Sequence, residues 1–277
     1  MYISNPHPIL PNHQLLHMNQ QPSVKKHFAN AHPSDRNFYL IMLLLVWAAI
    51  LSGFIYDIVT LKTQGRLDFP WITHVHAAFY VGWLVLFTVQ ILLIRSKNLS
   101  LHKKLGLTGA TLVPAMVIAG VVVAISSEAR KFGTPFADTA FISIMLCDMV
   151  VFGVIAGAGI YLRKQPAAHK RLILIATIGL TDAGFGRWLS IKIAPWFGNV
   201  YWSYHSFSEG FLPFFAFQMM WPLLLILAVG VYDLITRKRL HPVYVPALAW
   251  WLFFNLLEGW LYFSPGWMQL AKKMIGH

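Results

Sequence analysis

The sequence predicts an all-α membrane protein, a bundle of seven transmembrane helices with a cytoplasmic N-terminus and the C-terminus outside. Hydrophobic residues make up 57% of the chain and charged residues only 12%, where soluble domains carry about 25% charged residues. The apolar residues lie in long runs, each of roughly 20 residues or more, which is enough to cross the hydrocarbon core of a bilayer. Lys and Arg residues are concentrated between alternate runs, as in cytoplasmic loops.

Residues 1–36 precede the first apolar run and are polar. They lack the short apolar core and the cleavage site of a signal peptide, so we expect a disordered cytoplasmic tail. Met18 is a second candidate for the first residue, because Lys25 and Lys26 would then follow it closely. The tail contains five histidines, whose spacing matches no defined metal site: His7, His13, His17, His27 and His32.

The transmembrane domain is predicted over residues 37–263, followed by a short C-terminal tail over residues 264–277. Pro70 and Pro135 come just before the second and fourth apolar runs, where proline suits a helix start. The fifth run is the least regular, because charged residues and glycines interrupt it between residues 182 and 187. The seven predicted spans are residues 38–60, 71–94, 105–126, 136–162, 172–193, 212–235 and 243–263.

The distribution of basic residues sets the predicted orientation. Most of the 22 Lys and Arg residues lie in the N-terminal tail or in the segments after spans two, four and six. Since cytoplasmic loops carry an excess of Lys and Arg, these segments are predicted to face the cytoplasm. The same bias accounts for the net charge of +12, so the expected partner is the lipid bilayer and no nucleic acid is expected.

Recognised enzyme motifs are absent from the sequence, which leaves enzymatic activity open. There is no phosphate loop, dinucleotide fingerprint, HExxH motif or nucleophile elbow. The single cysteine, Cys147, lies inside an apolar run, which excludes a disulfide framework or a Cys-based metal site within one chain.

Ionisable residues inside the spans are costly and are functional candidates by default. Asp182 and Arg187 point about 140° apart on a helix, so each is expected to pair with another helix, Glu258 or Asp148 being the obvious partners. Two interpretations remain open: an ion pair that fixes helix register, or a path in a small-solute or proton-coupled transporter. The polar intramembrane cluster is predicted to comprise Asp148, Asp182, Arg187 and Glu258.

A His-x-His pair, His74 and His76, opens the second span on its outer side. Residues i and i+2 of a regular helix point about 200° apart, so the two cannot chelate one ion from the same face. Joint ligation of a transition metal ion would need an unwound helix start and carboxylates from spans five and seven. The alternative is an interfacial His74 in water and a buried His76 hydrogen-bonded to a carboxylate.

His102 and His169 form a second pair, and each precedes two cations at the cytoplasmic start of a helix. If spans three and five are neighbours, the two imidazoles would face each other as axial ligands of heme b. The adjacent Lys and Arg side chains would neutralise the heme propionates. The alternative is that both histidines are solvated near the lipid headgroups, where Lys and Arg snorkel.

Three segments resemble a widespread group of uncharacterised bacterial inner-membrane proteins, over about residues 38–190. They are His74 to Ala77 with Trp83 and Gln90 along the same helix, Leu101 to Gly106, and His169 to Leu172. The resemblance implies a multi-pass protein of the bacterial cytoplasmic membrane and carries no activity with it. The His-basic-basic-Leu-Gly segment is also similar to short pieces of membrane b-type cytochromes and ferric-reductase-like domains, where such a histidine binds heme.

In the redox hypothesis His102 and His169 would bind heme b, His74 and His76 would form an outer metal or quinone-side site, and the partner would be a quinone or another membrane redox partner. Two features depart from the cytochrome families. The chain has no two histidines spaced along one helix for stacked hemes, and no soluble flavin domain. Three hypotheses follow: a heme- or metal-binding redox protein, a transporter that uses the intramembrane charges, and a non-catalytic membrane subunit or assembly factor.

Overall fold

The structure, a computed structural model, describes residues 28–193 and 219–277, and the side chains of residues 188–193 fall outside that description. Four of the tail histidines, the candidate start Met18 and the first residues of the predicted sixth span lie outside the described residues. Within them the chain is helical and contains no strand.

The described helices follow the predicted apolar runs. Short 3-10 turns at Thr139–Phe141 and Leu162–Lys164 flank α4. The helices are α1 (Asp35–Thr63), α2 (Trp71–Arg95), α3 (Leu99–Lys131), α4 (Ile142–Tyr161), α5 (Pro166–Gly179), α6 (Asp182–Ile193), α7 (Met220–Arg237), α8 (Tyr244–Tyr262) and α9 (Pro265–Met274).

Five helical segments within the described ranges are long and apolar enough to cross a membrane. They are α1, α2, α3, α4 with its flanking turns, and α7. Large apolar side chains such as Leu44 and Val231 face outward from these helices, as expected for contact with lipid tails. The architecture is therefore that of an all-helical, multi-pass membrane protein. The predicted fifth span consists of two shorter helices, α5 and α6.

Local sequence signals explain several helix ends. The Asn98 side chain accepts a hydrogen bond from the Leu101 amide at 3.1 Å and so caps α3. Pro166 is the first residue of α5, where its missing N–H costs nothing. Lys238 adopts a left-handed conformation, with φ of 59°, directly after α7. The α3 helix extends beyond the predicted span at both ends. Its start is set by the Asn98 cap and not by hydropathy.

The α4 helix lies at the centre of the bundle and packs against α3, α5 and α8. The other main helix pairs are α2 with α3 and α1 with α6. The core contains fully buried Phe152 of α4 and Ile175 of α5, and the Trp83 ring meets the Phe152 ring edge-on at 5.2 Å. This arrangement places charged residues of α4, α6 and α8 inside the bundle.

The two ends of the bundle differ in charge. The basic end comprises the start of α1 and the connections at residues 96–98, 162–165 and 238–243. Lys170 and Arg237 both contact Asp35 there, at 2.6 and 2.8 Å, which joins α5 and α7 to α1. The opposite end comprises the connections at residues 64–70 and 132–138 together with α9. Trp267 of α9 donates to the Ala140 carbonyl at 3.1 Å, so the segment predicted as a C-terminal tail contains a packed helix.

Candidate functional site

The structure brings His102 and His169 together at the basic end. Each is the fourth residue of its helix, α3 and α5 respectively. The ring centroids are 6.4 Å apart and the ring planes lie at 80°. His169 Nδ1 lies 2.8 Å from the Gly159 carbonyl oxygen of α4. Because a carbonyl oxygen only accepts hydrogen bonds, Nδ1 carries the proton, and Nε2 is then free to bind a metal ion.

The separation of the two rings fits a pair of trans ligands on one metal ion. A ligating imidazole nitrogen lies about 2.0–2.1 Å from the metal. Adding roughly 1.1 Å from the nitrogen to the ring centre on each side gives centroids about 6.3 Å apart. The observed 6.4 Å agrees with this value. A tetrahedral ion would hold the two rings closer together than this.

Buried polar atoms without partners lie beside the histidine pair. His102 Nδ1 and both side-chain amide atoms of Gln90 are buried and make no hydrogen bond within the part of the chain that the structure describes, whereas the His102 ring does interact with the Gln90 backbone. Gly106 lies one turn after His102, and the Gln90 amide nitrogen is the nearest atom, at 3.7 Å, to a Cβ built there. Since buried polar groups are nearly always paired, these atoms are suited to contact a bound group.

A buried ion pair lies close to His169 in sequence and was missed by sequence reasoning. Arg171 binds Asp233 of α7 through two parallel contacts of 2.5 Å, and each side chain is only 1% exposed. Arg171 also donates to the Ala167 carbonyl at 2.6 Å. The Tyr244 hydroxyl donates to Asp233 at 2.8 Å. The available signal was Asp233 itself, a carboxylate inside a predicted span, which needs a cationic partner.

Asp35 extends this network to α1. It accepts hydrogen bonds from Lys170 at 2.6 Å, from Arg237 at 2.8 Å and from the Tyr232 hydroxyl at 2.7 Å. Burial lowers the pKa of the Lys170 ammonium, and the hydrogen bond to Asp35 opposes that effect. Burial also lowers the pKa of His241, as does the nearby Arg171 charge. The network ties α1, α5, α7 and α8 together at the basic end.

Two members of the predicted polar cluster, Asp148 and Asp182, meet inside the bundle. Their carboxyl groups, from α4 and α6, are within hydrogen-bond range of each other. An ionised carboxylate can only accept a hydrogen bond, so one of the two must carry a proton. Asp182 Oδ1 also accepts from the Ala183 amide at 2.6 Å.

The other two members of the cluster, Glu258 and Arg187, have different surroundings. Glu258 is fully buried, and neither of its carboxyl oxygens has a hydrogen-bond partner within residues 28–193 and 219–277. It interacts electrostatically with Asp182. Arg187 pairs with Asp57 of α1 at 3.2 Å. The prediction that Asp182 and Arg187 pair with other helices is confirmed, but the partner of Arg187 is Asp57 and neither Glu258 nor Asp148.

His74 and His76 have different surroundings. Both belong to the regular helix α2, which starts at Trp71, so the unwound start required for joint ligation is not observed. His74 is exposed, whereas the His76 ring lies 4.3 Å from the Tyr80 ring. Over the described ranges, no group of three His, Cys, Asp or Glu residues is placed to hold a metal ion. Within the described residues no hydrogen bond joins His76 to a carboxylate, and its Nδ1 is buried without a partner.

Comparison with known proteins identified no relative of this chain. No protein-family model, curated protein or solved structure matches the chain. The resemblance to bacterial inner-membrane proteins and to b-type cytochromes therefore stays a prediction.

Proposed function

We propose that this protein binds heme b between His102 and His169 and takes part in electron transfer within the membrane. The observation that carries the proposal is the 6.4 Å separation of the two imidazole centroids, combined with the hydrogen bond that turns His169 Nδ1 to the Gly159 carbonyl. Metal-binding histidines usually donate their second ring N–H to a carbonyl or carboxylate in this way. A solvated histidine pair would require neither feature.

The surrounding residues have separate roles in this proposal. The Gly159 carbonyl fixes the tautomer and orientation of the His169 ring. Lys103 and Lys104, exposed beside His102, supply positive charge for the heme propionates. The unpaired Gln90 amide offers a donor and an acceptor to the bound group. Heme bound there would take up and release one electron at its iron.

The proposal includes a placement in the membrane. The α5 and α6 helices together would form the fifth of seven spans, and α8 would form the seventh. Because Lys and Arg are concentrated at the basic end, that end faces the cytoplasm of a bacterial inner membrane, and the C-terminus lies outside. The histidine pair is then near the cytoplasmic surface, where a quinone or another membrane redox partner would exchange electrons with it.

Absorption spectroscopy of the purified protein tests the heme proposal. We expect a Soret band after expression with sufficient heme, and we expect the His102→Ala and His169→Ala variants to lose it, because each removes one axial ligand. His74→Ala is the matched control, since His74 is exposed at the opposite end and its variant should retain the band. A colourless wild-type protein, or an unchanged spectrum in both axial variants, would disprove heme binding at this pair.

A further inference from the structure

The break between α5 and α6 places a carboxyl group inside the membrane. The α5 helix ends at Gly179 and α6 begins with Asp182. The Thr181 hydroxyl donates to the Ile178 carbonyl at 2.6 Å, and the Thr181 carbonyl accepts from the Gly184 and Phe185 amides. Asp182 therefore lies at the positive end of the α6 dipole. Broken helices near the midplane are a recurring feature of ion-binding sites in membrane proteins.

The carboxyl groups around this break need protons. Asp148 and Asp182 are within hydrogen-bond range, and two adjacent negative charges in a low-dielectric interior cannot both persist. The cation Arg187 acts on Asp182 and is also paired with Asp57, so it does not neutralise both carboxyl groups. The Asp148–Asp182 pair thus holds at least one proton.

Glu258 supplies an independent observation that points to a bound proton. Its side chain is fully buried, and both carboxyl oxygens lack a hydrogen-bond partner in the part of the chain described. An ionised carboxylate in such a place would be strongly destabilising. The α8 helix is held against α4 here, because the Ser143 hydroxyl contacts the Glu258 backbone carbonyl at 3.2 Å.

Polar groups connect the carboxyl groups with the opposite end of the bundle. The side chains of Arg187 and Asp57 are 24% and 37% exposed, so this ion pair reaches the surface of the bundle. The charges of these carboxyl groups act on Tyr80 of α2 and Cys147 of α4, and the Arg187 charge acts on Asp182. His76 of α2 lies within range of the Arg187 charge. The Tyr80 hydroxyl is already engaged with the Met149 sulfur at 3.0 Å.

From these contacts we propose that Asp148, Asp182 and Glu258 form an intramembrane proton-binding site that exchanges protons with water at the opposite end of the bundle, by way of Arg187 and Asp57. The site is separate from the histidine pair and does not depend on heme. The ligand is a proton and not a metal ion, because a directly hydrogen-bonded carboxyl pair requires a proton between its oxygens.

Infrared spectroscopy of the protein in lipid membranes tests this site, because a protonated buried carboxyl group has its own C=O stretching band. We expect the wild-type protein to show this band, with a shift in heavy water and a loss of intensity as the bulk pH is raised. The variants Asp148→Asn, Asp182→Asn and Glu258→Gln should each lose part of the band. Asp68→Asn is the matched control, because the Asp68 side chain is 88% exposed, and its variant should keep the whole band.

Three results would overturn the proposal: no protonated-carboxyl band in the wild-type protein, a full band in all three variants, or a band that stays constant when the bulk pH changes. The last result would mean that these protons never exchange and only neutralise a packed interior. The same spectra of His102→Ala separate this proposal from heme binding. That variant should retain the carboxyl band whether or not the wild-type protein binds heme.

Discussion

Replacing Asp233 with asparagine should lower the free energy of unfolding by about 3–5 kcal/mol. The substitution leaves the Arg171 guanidinium, which is 1% exposed, without the carboxylate that neutralises it through two 2.5 Å contacts. Asp233 also accepts from Tyr244 at 2.8 Å and from Arg237 at 3.1 Å, so the loss affects helices α5, α7 and α8 together. Unfolding by a denaturing detergent in mixed micelles, followed by circular dichroism, would measure the change.

An exposed ion pair provides the comparison for this prediction. Arg130 and Asp68 contact each other with side chains that are 44% and 88% exposed, and Asp68→Asn should cost only about 0–1 kcal/mol. The double variant Arg171→Met, Asp233→Leu should recover much of the stability lost in Asp233→Asn, because it removes both buried charges. If Asp233→Asn and Asp68→Asn lowered the free energy of unfolding equally, burial of the Arg171–Asp233 pair would contribute nothing to stability.

Arg171 shows where sequence reasoning fails at the basic end. The segments His102-Lys103-Lys104 and His169-Lys170-Arg171 look alike, and counting cations assigns all four to the membrane surface. Lys103 and Lys104 are indeed exposed. Arg171 is buried because α7 brings Asp233, 62 residues away in sequence, against α5. Neither hydropathy nor charge counting contains the information about which helices are neighbours.

For the histidines and carboxyl groups too, sequence patterns predict some contacts and miss others. The repeated His-basic-basic pattern correctly suggested that His102 and His169 lie near each other, because each starts a helix at the same end of the bundle. The helix periodicity correctly separated His74 from His76 and correctly predicted that Arg187 pairs with another helix. The choice of Asp57 as the partner of Arg187 depends on the close packing of α1 against α6, which no local pattern predicts.

The close packing of α1 against α6 depends on two glycines, Gly53 and Gly184, and substituting Gly184 should lower the stability of the protein. A Cβ built on Gly184 would fall well inside contact distance of the Ala49 carbonyl oxygen, and one on Gly53 would overlap the Gly184 backbone. Since backbone atoms cannot move aside as a flexible side chain can, Gly184→Ala should cost about 1–3 kcal/mol of stability. Gly82→Ala is the matched control, because nothing lies within 4 Å of its added Cβ.

Gly184 also links the helix contact to the proposed proton site, because it lies two residues after Asp182 at the start of α6. Pushing α6 away from α1 should displace Asp182 from Asp148 and weaken their shared hydrogen bond. Gly184→Ala should therefore shift the protonated-carboxyl infrared band, whereas Gly82→Ala should change neither the band nor the unfolding free energy by a comparable amount. If Gly184→Ala were as stable as Gly82→Ala, α1 and α6 would not be in backbone contact, and the placement of Asp182 beside Asp148 would lose its structural basis.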